Sequence, residues 1–128
     1  METSKIIINI IMKNEEIIKK FKLELKRDLT YENLCSMSLI EYKNFVLVLF
    51  EKLNELKIKF GAERDDFKKF ILEDIYSQQE TDIESCENRL LDLCSEISTV
   101  YSSEPFFWDS DFEMYKISLV NMLEKHNY

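Results

Sequence analysis

Glycine and proline are almost missing from this chain: Gly61 and Pro105 are the only ones in 128 residues. An all-β protein needs turn residues at intervals of about 8–12 positions, so that class is excluded. A glycine-rich phosphate loop is excluded on the same ground. Histidine is as scarce. His126 stands alone, which removes multi-histidine metal sites and most histidine acid–base chemistry. The three cysteines, Cys35, Cys86 and Cys94, show no Cys-x-x-Cys spacing. On one helix Cys86 and Cys94 would lie about 12 Å apart along the axis, too far to share an ion or a disulfide. An odd set of this kind suits a reducing compartment, and a cytoplasmic location is the expectation. Long apolar runs are absent too. Ile6 to Met12, with Asn9 inside it, is too short to span a membrane or to act as a signal peptide.

What remains is a globular composition, with 45% hydrophobic, 33% charged and 12% aromatic residues. A chain of this length buries roughly two-thirds of its unfolded surface, enough for one domain without staples. The net charge of −8 is uneven: residues 1–60 carry +2 and residues 61–128 carry −10. An acidic half repels phosphate backbones, so nucleic acid is not an expected partner. Adjacent carboxylates such as Asp65-Asp66 and Glu73-Asp74 point about 100° apart on a helix and do not converge on a substrate. Asp109 reads as a helix cap. No cofactor, metal or enzymatic activity is expected.

Helix caps supply the punctuation. Ser38-Leu39-Ile40-Glu41 and Thr81-Asp82-Ile83-Glu84 are capping-box patterns. Gly61 follows Phe60 where a helix end needs a left-handed residue. Between these marks the apolar spacing is helical. Tyr42, Phe45, Leu49, Leu53, Leu56 and Phe60 form a stripe over 39–60, and Phe45 to Phe50 is apolar on all sides. Phe67, Phe70, Ile71 and Ile75 mark a helix at 63–78. Ile83, Cys86, Leu90, Leu93, Cys94, Ile97 and Tyr101 mark one at 82–102. Trp108, Phe112, Tyr115, Leu119 and Met122 mark the last, at 109–125. The first third reads as helices over 4–14, up to Arg27 and around 31–37, with a strand as the alternative for Ile6-Ile7-Ile8. The expected fold is all-α, a single compact bundle of six to seven helices over residues 1–128.

Three segments resemble the poxvirus Bcl-2-like family of small cytosolic virulence factors. Ile10-Ile11-Met12-Lys13-Asn14-Glu15 is similar to the aliphatic, bulky, basic and Asn sequence that closes the family's first helix, with Met12 in place of Trp. Leu93-Cys94-Ser95-Glu96-Ile97-Ser98-Thr99-Val100-Tyr101 resembles its fifth helix, which ends on an aromatic. Trp108-Asp109-Ser110-Asp111-Phe112-Glu113-Met114 resembles the opening of its sixth. Together they cover about a fifth of the chain.

The resemblance implies a Bcl-2-like bundle without catalysis. Such a protein binds host signalling or pro-apoptotic proteins, and so inhibits innate immune signalling towards NF-κB or interferon, apoptosis, or both. A groove of this kind would be walled by 39–60 and 63–78 and floored by 82–102, with Phe45, Leu49, Phe67, Ile71 and Leu90 as its residues. A homodimer through the first and last helices is also implied. It would use the apolar side chains that fall off the main stripes, namely Ile8, Met12, Met114, Ile117 and Val120. The charge of residues 61–128 supports a different reading, an acidic helical immunity protein that neutralises a basic toxin or nuclease.

Overall fold

The computed structural model describes the backbone of residues 2–78, 87–99 and 106–125, and side chains within 13–77, 89–99 and 106–125. Among the described residues six α-helices follow one another and no strand occurs. They are α1 (Glu2–Asp28), α2 (Tyr31–Ser36), α3 (Leu39–Lys59), α4 (Arg64–Phe70), α5 (Glu87–Ser98) and α6 (Phe112–Lys125). A π-helical turn, Ile71–Ile75, continues α4, and a 3₁₀ turn, Phe107–Asp109, precedes α6.

The expected break near Asn14 does not exist. α1 is one helix of 27 residues, and the Ile6–Ile8 run lies within it. Asn is a mediocre helix former, but with neither Gly nor Pro nearby nothing interrupts the hydrogen-bond ladder. Past Asn14 the helix docks through Phe21, Leu25 and, just beyond its end, Leu29, all buried. Thr30 then caps α2, its hydroxyl accepting the Asn33 amide at 3.0 Å.

The bounds of α3 follow the capping residues. The Ser38 hydroxyl accepts the Glu41 amide at 3.2 Å. At the other end Gly61 adopts φ +73°, which lets the Ala62 amide donate back to the Leu56 carbonyl at 3.1 Å. Tyr42, Val46, Leu49, Phe50, Leu53 and Leu56 turn inward and bury one side of α3. Its apolar middle is not enclosed on every side, however. Val48 is 50% exposed and Phe45 and Leu47 are half-buried. α1 runs along only one edge of α3 and leaves that face partly open.

In α4 the stripe Phe67, Ile71, Ile75 repeats every fourth residue and would drift around a regular α-helix. The wider π turn counteracts the drift, and all three side chains are sealed in the core. α5 is shorter than its stripe: it ends at Ser98, where Thr99 takes φ +58°. The expected cap Thr81 and the stripe positions Ile83, Cys86 and Tyr101 lie outside the described residues, as do Pro105 and His126. Trp108 and Asp109 belong to the 3₁₀ turn and not to α6. The backbone carbonyl of Asp111 accepts the Tyr115 amide at 3.0 Å and starts α6, while Asp109 faces Arg64 at 3.7 Å.

Two substitutions on α3 test this orientation. Leu53→Ala removes a fully buried side chain and should cost ~2–5 kcal/mol in urea denaturation. Val48→Ala, half exposed, should cost under ~1 kcal/mol. Equal costs would mean that α3 is turned differently.

Candidate functional site

The charged residues of α5 were the part of the site least visible beforehand. Arg89 and Glu96 are each only 4% exposed. Arg89 donates from Nη1 to the carbonyls of Leu34 (2.6 Å) and Met37 (2.8 Å), the last turn of α2 and its cap. Its guanidinium lies 4.8 Å from the centre of the Tyr42 ring, and the Tyr42 hydroxyl donates to the Arg89 carbonyl at 3.1 Å. Glu96 accepts a hydrogen bond from the Tyr115 hydroxyl at 2.8 Å and so ties α5 to α6. Trp108 Nε1 donates to the Ile97 carbonyl at 2.7 Å. The signal was there: Arg89 and Glu96 both fall within the apolar stripe of α5, where a charge must find partners.

Burial dominates the acid–base behaviour of this region. It holds the Tyr42 phenol above its usual range, with the Asp92 carboxylate adding to the effect. It does the same to Tyr115, helped by Glu96. The Cys94 thiol is pushed up to about 12 by burial and stays protonated, a poor nucleophile. These groups hold helices together. Among the described residues no group of three His, Cys, Asp or Glu side chains is arranged to hold a metal ion, and no described helix is long and apolar enough to cross a membrane.

The five expected groove residues are not brought to one open cleft. Phe67, Ile71 and Leu90 are fully sealed, because α4 and its π turn pack directly on α5. That wall-and-floor arrangement is therefore closed. Phe45, with the largely buried Leu49 beneath it, instead borders open space on the side of α3 that faces α1. There a cavity of about 190 Å³ is lined by Phe21, Leu25, Phe45, Val48 and Leu49, with Glu24, Asp28 and Lys52 at its rim. A second cavity of about 340 Å³ adjoins it and shares Phe21, Glu24 and Lys52. It continues along Ile17, Leu56 and Phe60, with Lys20 and Glu55 at the edge. The two form one groove along α1 and α3. From Phe45 to Phe60 it runs about 22 Å, at 1.5 Å per residue.

Of the off-stripe residues, Met114 and Ile117 on α6 are exposed (64% and 65%), and Val120 is half-buried. The side chains of Ile8 and Met12 lie outside the described residues. The Lys13-Asn14 step, expected to close a helix, sits mid-α1; the last helix, expected from 109, begins at Phe112. No family model matches the chain, and neither a curated protein nor a solved structure matches it.

The buried phenols and thiol set the response to alkali. Each binds its proton more tightly folded than unfolded, so the folded state holds more protons as pH rises, and stability falls. The loss begins where the unfolded Cys94 thiol ionises, near its ordinary value of 9.0. The melting midpoint should hold between about pH 7 and 8.5 and fall above about pH 9.5. Tyr115→Phe should lessen that fall, while costing ~1–3 kcal/mol at neutral pH by depriving buried Glu96 of a donor. A midpoint unchanged to pH 11 would mean that these groups are accessible to solvent.

Proposed function

We propose that this chain is a non-enzymatic, virus-encoded protein that binds host proteins and inhibits innate immune signalling, apoptosis, or both. The observation that carries the reading is the groove between α1 and α3. Its floor is apolar along the whole length, from Phe45 and Val48 through Phe21 to Leu56 and Phe60. Charges of both signs, Glu24 and Glu55 with Lys20 and Lys52, stand at its rim. A surface of this shape suits an amphipathic helix whose apolar residues recur at i, i+3 or i+4, and i+7. At about 22 Å it takes about four helical turns. The resemblance to the poxvirus Bcl-2-like family supports the same mode of action, since those proteins work by contact. The exposed Met114–Ile117 face of α6 offers a second apolar contact surface.

The alternative, an antidote that neutralises a basic toxin or nuclease, rests on the −10 charge of residues 61–128. A toxin gene beside this one would decide for it.

Calorimetric titration with helical peptides of the pro-apoptotic BH3 type tests the groove. Micromolar binding is expected, weakened about tenfold by Val48→Glu, a change at an exposed position that leaves the core intact. No binding at ~50 µM would remove the apoptotic role. An NF-κB or interferon reporter then decides the signalling role: reporter activity unaltered by the chain would end the whole reading.

A further inference from the structure

On the other side of the buried Phe21–Leu25 stripe, α1 borders a different concavity. It measures about 420 Å³ and lies between α1 and α4 with its π turn. Its α1 wall is wholly basic: Lys19, Lys22 and Lys26 recur at i, i+3 and i+7, with Leu23, 61% exposed, among them. Its other wall is acidic on balance, with Asp66, Glu73 and Asp74 outweighing Lys69. One pair closes the bottom. Lys22 Nζ lies 2.6 Å from Asp66 Oδ2 and rests over the rings of Phe67 and Phe70. Lys19, Lys26 and Asp74 make no ion pair with any described residue. Lys19 and Lys26 on one wall and Glu73 and Asp74 on the other are all exposed.

A cleft with one basic and one acidic wall is its own complement. We propose that it is the surface through which two copies of this chain pair. A two-fold axis running along the cleft lays the α1 wall of each copy over the α4 wall of the other. Lys19 and Lys26 then meet the partner's acidic wall, and the exposed Leu23 and half-buried Phe70 close an apolar seam between the charges. The overall charge favours this face over others. Two chains of −8 repel at long range, and attraction must come from a surface that sets cations against anions. The Met114–Ile117 face of α6 carries less of that pattern: its exposed neighbours are Glu113, Asn121 and Glu124, with Lys125 as a cation only at the helix end. It stays free for another partner. Pairing through the cleft also leaves the α1/α3 groove open, since the two concavities flank α1 on different sides.

Charge-swapped variants test the pairing, read by sedimentation velocity at about 50 mM salt, where surface charges are weakly screened. The first variant is Lys19→Glu with Lys26→Glu, and the second is Glu73→Lys with Asp74→Lys. All four positions are exposed on helices, and circular dichroism checks folding. The wild type should be dimeric at micromolar concentration and should dissociate progressively as salt rises. Each variant alone should dimerise about tenfold more weakly or worse, because like-charged walls then face each other. Mixing the two should restore a dimer, since each acidic wall now meets a basic one. Ile117→Glu should leave the wild-type dimer intact. A monomeric wild type, a salt-independent dimer, or variants that still self-associate would overturn the proposal. So would a mixture that stays monomeric, or a dimer lost only through Ile117→Glu.

Discussion

Arg89 is the side chain on which the arrangement of the short helices depends. α2 has only six residues, too few to be stable alone. At its carbonyl end the Leu34 oxygen has only a long bond from the Met37 amide, at 3.4 Å, and the guanidinium supplies the short bonds to Leu34 and Met37. The same side chain stacks on Tyr42, one turn into α3, and Tyr42 returns a hydrogen bond to the Arg89 backbone. A single cation thus fixes the end of α2 and the start of α3 against α5. Because α3 is then held in direction, its inward face is committed to Phe50, Leu53 and Leu56, and the aromatic group of Phe50, Phe107, Tyr115 and Trp108 can close over it. Lys57, donating to the Phe107 carbonyl at 3.1 Å, anchors that group from the far end of α3.

How far the sequence disclosed this depends on the range of each interaction. Ser38 and Gly61 were legible because a cap acts within three or four residues, and both ends of α3 lie where those residues put them. The stripes on α3 and α6 were legible for the same reason. Asn14 misled, since a propensity of a few tenths of a kcal/mol does not stop a helix that has tertiary support. The sealed positions Phe67, Ile71 and Leu90 were beyond local reading. Whether two apolar stripes enclose a cleft or close on each other depends on how far apart their helices sit. Here the π turn brings Ile71 and Ile75 inward, and α4 meets α5 without a gap. Likewise the charges of Arg89 and Glu96 could be placed on the apolar stripe, but their partners are tens of residues away in sequence for Arg89, and 19 for Glu96.

The net charge hides a more useful distribution. Most acidic side chains of the second half stand in water, where they contribute little to stability and much to solubility. Lys22 is the exception that gives α1 its seat: an ion pair with Asp66, reinforced by two aromatic rings, on the rim of a helix otherwise held by Phe21 and Leu25. The unpaired lysines on either side of it are therefore carried at a fixed position relative to α4. That rigidity is what turns scattered surface charges into two opposed walls.

α1 serves both concavities, and its continuity decides how they relate. A kinked or broken helix would let an occupant of one side shift the other, and the two would compete. A single helix without Gly or Pro, docked along Phe21, Leu25 and Leu29, behaves as a common partition. A proposed amphipathic ligand would press on Phe45 and Val48 of α3 and on Phe21 of α1, whereas a proposed second copy would press on Lys19, Leu23 and Lys26 on the other side of α1. Coupling between sites needs an element with two arrangements, and a helix pinned by three buried apolar side chains and an ion pair has one. Under the two proposals, occupancy of the groove and pairing through the cleft are accordingly independent of each other.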